Sequence, residues 1–455
     1  MRTRTLTRRT SRRPNARRRT SRALAATVAA GLLAGCALLD EGSSAAPDDG
    51  DGGGGSDGGP VTLTVGVFGV FGFEEAGLYD EYEKLHPEVT IKEEAAPSNE
   101  EYYPALREAL DSGSGLADIQ AVEVGNISEV VAGRSDQLMD LATVPGVDET
   151  AFLHWKWDQA TTAENKTIGL GTDIGPMAVC YRKDLFRAAG LPTDREEVAA
   201  LWFSDWQKYL GVGADYMENA PEGTAFVDSA AGVYNGSISS FPIRYFGREG
   251  EPIYQDSPAV EASWDLAMQA AQGEMTAQLK QFTPEWDEGF AEGGFATVIC
   301  PSWMLGHIQE KAGPAAADKW DIAAAPKPAN WGGSFLTVPE AGENKEEAAR
   351  LAAWLTAPEQ QARLFEKQAN FPSSQAAYSL PQVADATHPY FNDAPTGEIF
   401  SIAAKSIPTL QLGTKDQPIQ QQITDAGILP VEQGEMTPEQ AWRSAVREID
   451  ELLDR

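Results

Sequence analysis

VTLTVGVFGVFGFEEAGLYDEYEKLHPEVTIKEEAAPSNEEYYPALREALDSGSGLADIQAVEV, residues 61–124, is the stretch that decides the fold. Residues 61–70 are rich in β-branched side chains and read as a strand. Residues 74–85 follow with Leu78, Tyr82 and Leu85 on one helical face, and His86-Pro87 ends that helix. A second strand covers 89–94. A second helix covers 102–110, aligning Tyr103, Leu106 and Leu110, and the run 112–115 breaks it. A third strand covers 118–124. Strands alternating with helices at this spacing predict parallel βαβ units, hence an α/β sheet. Ligands of such sheets bind beyond the carboxyl ends of the strands. That rule puts Phe68 or Phe71, after the first strand, and Glu123, ending the third, at a mouth.

The chain has 455 residues and a formal charge of −32. Ten arginines in residues 1–22 carry +10, so the remainder stands near −42. Such a balance excludes nucleic acid and an anionic membrane surface as partners. About 395 residues follow position 60, too many for one compact core, so two lobes are expected.

Further along, residues 168–183 (IGLGTDIGPMAVCYRK) are a Gly-rich turn and an apolar strand, the expected first crossing between lobes. Residues 184–190 form a short helix closed by Gly190-Leu191-Pro192. Residues 202–210 look helical, and 211–248 are too glycine-rich to assign. Residues 258–272 form a helix with Val260, Trp264, Met268 and Ala271 on one face. Thr283-Pro284 opens another. Residues 344–356 and 358–367 are tandem helices, and 438–453 is strongly amphipathic, with Trp442, Val446, Ile449 and Leu453 aligned. Trp264, Trp354 and Trp442 share faces with other apolar residues and read as core. No internal repeat stands out.

Residues 295–339 differ in kind. A strand over 295–300 runs into Pro301-Ser302-Trp303, and Asn330-Trp331-Gly332-Gly333-Ser334 forms a second aromatic turn. Trp303 and Trp331 in breaker-rich turns put flat apolar surface at a sheet edge, where it can line a cleft. The chain between them is expected to cross from the second lobe to the first near residues 321–324. Trp303 and Trp331 would then sit on opposite jaws and meet only on closure.

The N-terminus carries a targeting pattern. The ten arginines precede a short, mostly apolar run, 23–34, that is too short to span a bilayer. Leu33-Ala34-Gly35-Cys36 resembles the bacterial lipobox. That resemblance implies cleavage of residues 1–35 and lipidation of Cys36, with the protein anchored on the outer face of the cytoplasmic membrane. The alternative is a soluble secreted protein that loses Cys36 on processing. Arginine pairs abound, but 18–22 lacks the apolar residues of a twin-arginine motif, so the pattern does not choose an export route. Residues 36–60 are acidic and Gly-rich, a composition that forms a tether rather than a core.

With Cys36 set aside, Cys180 and Cys300 remain of the three cysteines. In an oxidising compartment a leftover pair reads as a disulfide, and both end apolar runs that neighbouring strands could present to each other. Two buried free thiols are the alternative.

The lipobox, the tether, the early βαβαβ unit, GTDIGPMAVCYRKDLFRAAGLP at 171–192, CPSWMLG at 300–306 and NWGGSFLTVP at 330–339 together resemble the family 1 extracellular solute-binding proteins of sugar ABC importers. The pattern is most similar to actinobacterial members that bind cello-oligosaccharides. The resemblance implies a type II periplasmic-binding-protein-like α/β fold with a hinge between two discontinuous lobes, 61–171 with 323–371 and 172–322 with 372–455. It implies a monomer that needs no cofactor or metal, closes on an oligosaccharide and docks on an ABC permease. It also implies that Trp303 and Trp331 stack on sugar rings while Glu123 and Asp173 accept hydrogen bonds from hydroxyls. Family members often carry Asp where this chain has Glu123.

These residue types suit a sugar. Aromatic rings cover the C–H faces of a pyranose, and carboxylates and amides pair with its hydroxyls. Each tryptophan removing roughly 100 Å² from water contributes roughly 2.5 kcal/mol. Two fall short of the roughly 8 kcal/mol of micromolar binding, so a third platform is expected, with Trp286 the candidate. Gly332 and Ser334 are expected to offer backbone or hydroxyl contacts. Asn235 and Arg248 lie in the polar 211–248 segment but are not separable from ordinary surface. A glycoside hydrolase is the rival, since it too joins aromatics to carboxylates. However, the four histidines lack metal-ligand spacing, and the one G-x-S-x-G match, at 54–58, lies in the tether. A binding protein for a non-sugar solute is the remaining reading.

Overall fold

The computed structural model describes residues 59–454. The export signal, Cys36 and nearly all of the tether lie outside the described residues. Among the described residues, no helix is long and apolar enough to cross a membrane.

The opening stretch forms the predicted alternation. Strand β1 (Val61–Phe68) pairs in parallel with β2 (Val89–Ala96) and β3 (Ile119–Glu123). Helices Leu78–Leu85 and Asn99–Ser112 make the connections. The first helix starts four residues later than its apolar pattern suggests, because Gly77 takes a left-handed φ of 69° at its N-cap. Leu63, Val65 and Val67 are fully buried on β1.

Eight further strands complete the chain: β4 (Leu170–Gly171), β5 (Asp173–Ile174), β6 (Met177–Arg182), β7 (Ala225–Val227), β8 (Phe295–Pro301), β9 (Trp320–Ala324), β10 (Ser334–Thr337) and β11 (Phe371–Pro372). They give a five-stranded sheet in the order β2-β1-β3-β10-β4 and a four-stranded sheet in the order β7-β8-β6-β9. The fold is two-lobed α/β. Its first sheet is not wholly parallel, since β10 runs antiparallel to both β3 and β4. Ser334 thereby stands opposite Glu123, joining the end of the early βαβαβ unit to the late aromatic turn.

Strands β4, β5 and β6 follow one another within residues 170–182 but belong to the first sheet, a two-stranded ladder with β11, and the second sheet respectively. The chain returns to the first sheet between β9 and β10. The second sheet is covered on both faces. Ala178 and Cys180 of β6 join Trp286, Phe290 and Trp320 on one side, while Met177, Val179 and Tyr181 join Trp202, Tyr209 and Phe226 on the other. This is the burial expected of continuous apolar strands. Cys180 and Cys300 lie on β6 and β8, and their Sγ atoms are bonded.

Two local readings are corrected. Residues 202–210 are not one helix but the end of Arg195–Trp202 and the start of Trp206–Glu218. Ser204 has a positive φ of 59° between them, and Asp205 caps the second by accepting from the Gln207 amide at 2.8 Å. The glycine-rich 211–248 segment contains β7 and the buried helix Ala230–Ile238. Helices Pro258–Gln272 and Pro438–Leu453 have the predicted limits, because each opens with proline after a Ser or Thr cap.

Candidate functional site

The late aromatic turn is held by its main chain. The Trp331 amide donates to the Gly175 carbonyl at 2.8 Å, and the Gly175 amide donates to Asn330 Oδ1 at 2.9 Å. Gly332 and Gly333 take φ values of 94° and 98°, which glycine adopts without steric cost. A Cβ on Gly175 would lie 1.8 Å from the Trp331 carbonyl oxygen, so this crossing requires glycine.

The same carbonyl accepts from Trp303 Nε1 at 2.9 Å, and the two indoles meet edge to face with centroids 5.8 Å apart. This corrects the expectation of opposite jaws. Trp303 and Trp331 are directly bonded parts of one wall, and no ring fits between them. Both pack against the core cluster of the second sheet.

Trp286 also departs from expectation. It is fully buried, stacks on His307 and donates from Nε1 to Asp228 Oδ2 at 2.8 Å. An indole so enclosed presents no face to a ligand. Phe282, which the sequence reading missed, stands in front of it with centroids 5.1 Å apart. Its ring is 56 % exposed and packs within 6.4 Å of Trp303 and 6.2 Å of Trp331. The signal was an aromatic in the loop just before the Thr283-Pro284 helix start.

A cavity of about 330 Å³ opens on this wall. Of the expected site residues, Glu123, Trp331 and Gly332 line it, together with Phe282 and Asn330. Asn235, Arg244, Asp416, Gln420 and Glu432 line it as well. Phe68 packs on Phe71 and Tyr102 at the end of β1 and does not line it. Asp173 and Ser334 support it from behind: Asp173 Oδ1 accepts from the Ser334 amide at 3.0 Å and from Thr172 Oγ1 at 2.6 Å. Arg248 is exposed and outside the cavity.

Glu123 is half-buried at the end of β3, where its Oε2 accepts from the Gly125 amide at 2.6 Å and caps helix Val124–Arg134. Burial pushes its pKa up to about 7; the Gly125 bond and the Lys156 charge oppose that, and Asp173 adds to it. Burial likewise raises Asp173, against Lys156, Thr172 and Ser334. In the same cavity, burial pushes Glu432 to about 7 and Asp416 to about 6. Glu432 accepts from the Ala230 amide at 2.8 Å, and Gln420 Nε2 donates to Asn235 Oδ1 at 2.8 Å. Gln420 lies on helix Asp416–Gln422, which runs into a π-helical segment, Ile423–Ile428. The polar wall thus comes from residues distant in sequence, without a local motif to reveal them. Chemically, the arrangement offers apolar ring faces together with amide and carboxyl groups. Among the described residues, no three His, Cys, Asp or Glu side chains cluster to hold a metal ion.

A family model described as bacterial extracellular solute-binding protein matches residues 77–391. The fold is similar to that of an extracellular solute-binding protein of family 1, at 40% identity and TM-score 0.80, covering 86% of this chain and 99% of that one. It is also similar to the sugar-binding protein MalE from Xanthomonas citri, at 17% identity and TM-score 0.70, covering 87% and 98%. A third similar structure is the galacto-N-biose/lacto-N-biose I-binding protein of an ABC transporter from Bifidobacterium longum, in complex with lacto-N-biose, at 14% identity and TM-score 0.71, covering 88% and 98%. No curated protein matches the sequence.

Proposed function

We propose a sugar-capturing role for this chain from one premise: it belongs to the bacterial extracellular solute-binding protein family. Proteins of that family bind a solute and are not enzymes, which removes the glycoside-hydrolase reading. The ligand is a short oligosaccharide, delivered to an ABC importer. The observation that carries this is a cavity lined by the rings of Phe282 and Trp331, the latter braced by Trp303, together with Glu123, Asn235 and Gln420. Apolar ring faces beside hydrogen-bonding groups match the two kinds of surface a pyranose presents. About 330 Å³ is at the small end of ligand pockets, which span roughly 300–1,000 Å³. Two rings at roughly 2.5 kcal/mol each leave roughly 3 kcal/mol of micromolar binding to the hydrogen-bonding groups. The sugar ligands bound by structural relatives agree with this reading.

In this reading the lobes are built on the five-stranded and the four-stranded sheet, with Trp303 and Trp331 both on the second, and they hinge where the chain passes between the two sheets. Cys36 carries a lipid anchor, and residues 36–60 tether the domain to the outer face of the membrane. The test is calorimetry with a panel of mono- and oligosaccharides, followed by analysis of the recovered sugar. Micromolar or tighter binding of at least one unaltered oligosaccharide is the expected result. No affinity across the panel, or cleaved sugar, would sink the proposal.

A further inference from the structure

Phe282 is an exposed ring on the cavity, and its backbone has a positive φ of 64°. A bulky residue rarely takes that left-handed conformation, and it persists only where the surroundings over-determine it. Gln278, in the same loop, has a φ of 59°. The loop that leads into helix Pro284–Glu292 thus holds two non-glycine residues in a costly region. Its own bonds are few. Thr283 Oγ1 donates to the Lys280 carbonyl at 2.8 Å, and Lys280 Nζ reaches Asp425 Oδ2 at 3.1 Å. Both members of that ion pair are exposed, so it holds the loop weakly.

The firmer holds converge on Asp228. It is wholly buried, between β7 and helix Ala230–Ile238. Its Oδ2 accepts from Gln281 Nε2 at 2.7 Å and from Trp286 Nε1 at 2.8 Å. One donor precedes Phe282 directly, and the other belongs to the indole on which the Phe282 ring rests, with centroids 5.1 Å apart. The Asp228 carbonyl accepts from the Leu279 amide at 3.4 Å, and the Val227 carbonyl accepts from the Ala277 amide at 2.9 Å. Breaking the Trp286 bond would leave a buried N–H unsatisfied, which is costly. A Cβ on Gly232 would lie 2.9 Å from Asp228 Oδ1 and 3.1 Å from Gln281 Nε2, so the start of the helix leaves room for this pair by carrying glycine.

We propose that Asp228 is a positioning residue of the ligand cavity: one buried carboxylate oxygen ties down the side chain before Phe282 and the indole behind it, and so holds the Phe282 ring on the cavity in a conformation the loop would not keep by itself. Asp228 does not line the cavity, so it acts on a ligand only through Phe282. The proposal rests on the reading of the cavity given above for what Phe282 meets.

The test is ¹⁹F NMR of the ligand-free protein, with 4-fluorophenylalanine placed singly at Phe282 or, as a control for the fold, at the buried Phe295 of β8. The rings of Trp286, Trp303 and Trp331 around Phe282 displace its signal from that of the free amino acid. Asp228→Ala and Gln281→Leu should each remove most of that displacement and leave the Phe295 signal in place. Asp228→Asn keeps an oxygen that can accept both bonds, and should keep most of the displacement. A Phe282 signal unmoved in folded Asp228→Ala would overturn the proposal. So would a Phe295 signal that moves as far, by making Asp228 a general packing element. If Asp228→Ala does not fold, Gln281→Leu decides alone, since Gln281 is only half-buried. No sugar is used, so this failure is distinct from an empty ligand panel. With the tightest-binding oligosaccharide of that panel, Asp228→Ala should weaken binding about 5- to 30-fold, as loss of the ring does. In a Phe282→Ala background the same change should cost about twofold or less. An equal loss in both backgrounds would overturn the proposal, because Asp228 would then act by another route.

Discussion

Trp331→Ala is the sharpest test of the aromatic wall. The indole is half-buried and lines the cavity, while its main chain is tied to Gly175 and Trp303 through backbone atoms. Alanine keeps those atoms, so the turn should survive. What is lost is the ring's free face. One edge already packs on Trp303 and Phe282, so the area a sugar can cover is roughly 60–100 Å² at about 25 cal/mol per Å². The expected loss is about 1.5–2.5 kcal/mol, or about 10- to 70-fold in Kd. The lost edge-to-face contacts cost about 0.5–1.5 kcal/mol each in stability, lowering Tm by a few degrees. Calorimetry with the best sugar of the panel reads the affinity, and near-UV circular dichroism reads the fold. Trp331→Phe should fall between wild type and alanine. A folded alanine variant binding within twofold of wild type would refute the stacking argument.

Three other outcomes follow from the same geometry. Phe282→Ala should weaken binding about 5- to 30-fold and lower Tm by a few degrees, because the half-exposed ring gives up its contacts with Trp286, Trp303 and Trp331; calorimetry and a thermal melt read the two effects. Glu432 has a folded pKa of about 7, raised from 4.5 mainly by burial. Its contribution is therefore fully present below the unfolded value and is lost as pH rises through about 7. Urea unfolding should show stability falling between about pH 4.5 and 7, and Glu432→Gln should reduce that fall while gaining about 1–3 kcal/mol at pH 8. Reduction of the Cys180–Cys300 bond, which closes a 120-residue separation, should cost roughly 4 kcal/mol, read as a lower urea midpoint with dithiothreitol and in Cys180→Ser/Cys300→Ser.

Local signals were legible where short-range chemistry sets structure. The alternation in residues 61–124 predicted the parallel core of the first sheet, and the Ser- and Thr-capped, proline-opened helices matched residue for residue. The misreading at 202–210 came from Asp205, a capping residue inside an apolar pattern. The site was legible in part. Trp331 and Gly332 drew attention as an aromatic in a glycine turn, and Glu123 as the acid ending a strand; all three line the cavity. Trp286 carried a similar local signal but is buried under Phe282, because its indole nitrogen has a partner in Asp228 58 residues away.

Composition and periodicity alone determined the fold class and the acidic character of the chain, since these follow from which side chains repeat and at what spacing; the family resemblance came from the order of its motifs. Only the tertiary structure decided which aromatics line the cavity and which carboxylates sit together. Trp303 and Trp331 form one wall because the Trp331 carbonyl, fixed by the crossing at Gly175, lies within reach of the Trp303 indole nitrogen. Glu123 and Asp173 both come to flank Ser334 because β10, residues 334–337, inserts between β3 and β4. Burial and long-range pairing set exposure and charge state, and neither has a signature within a few residues of the groups it controls.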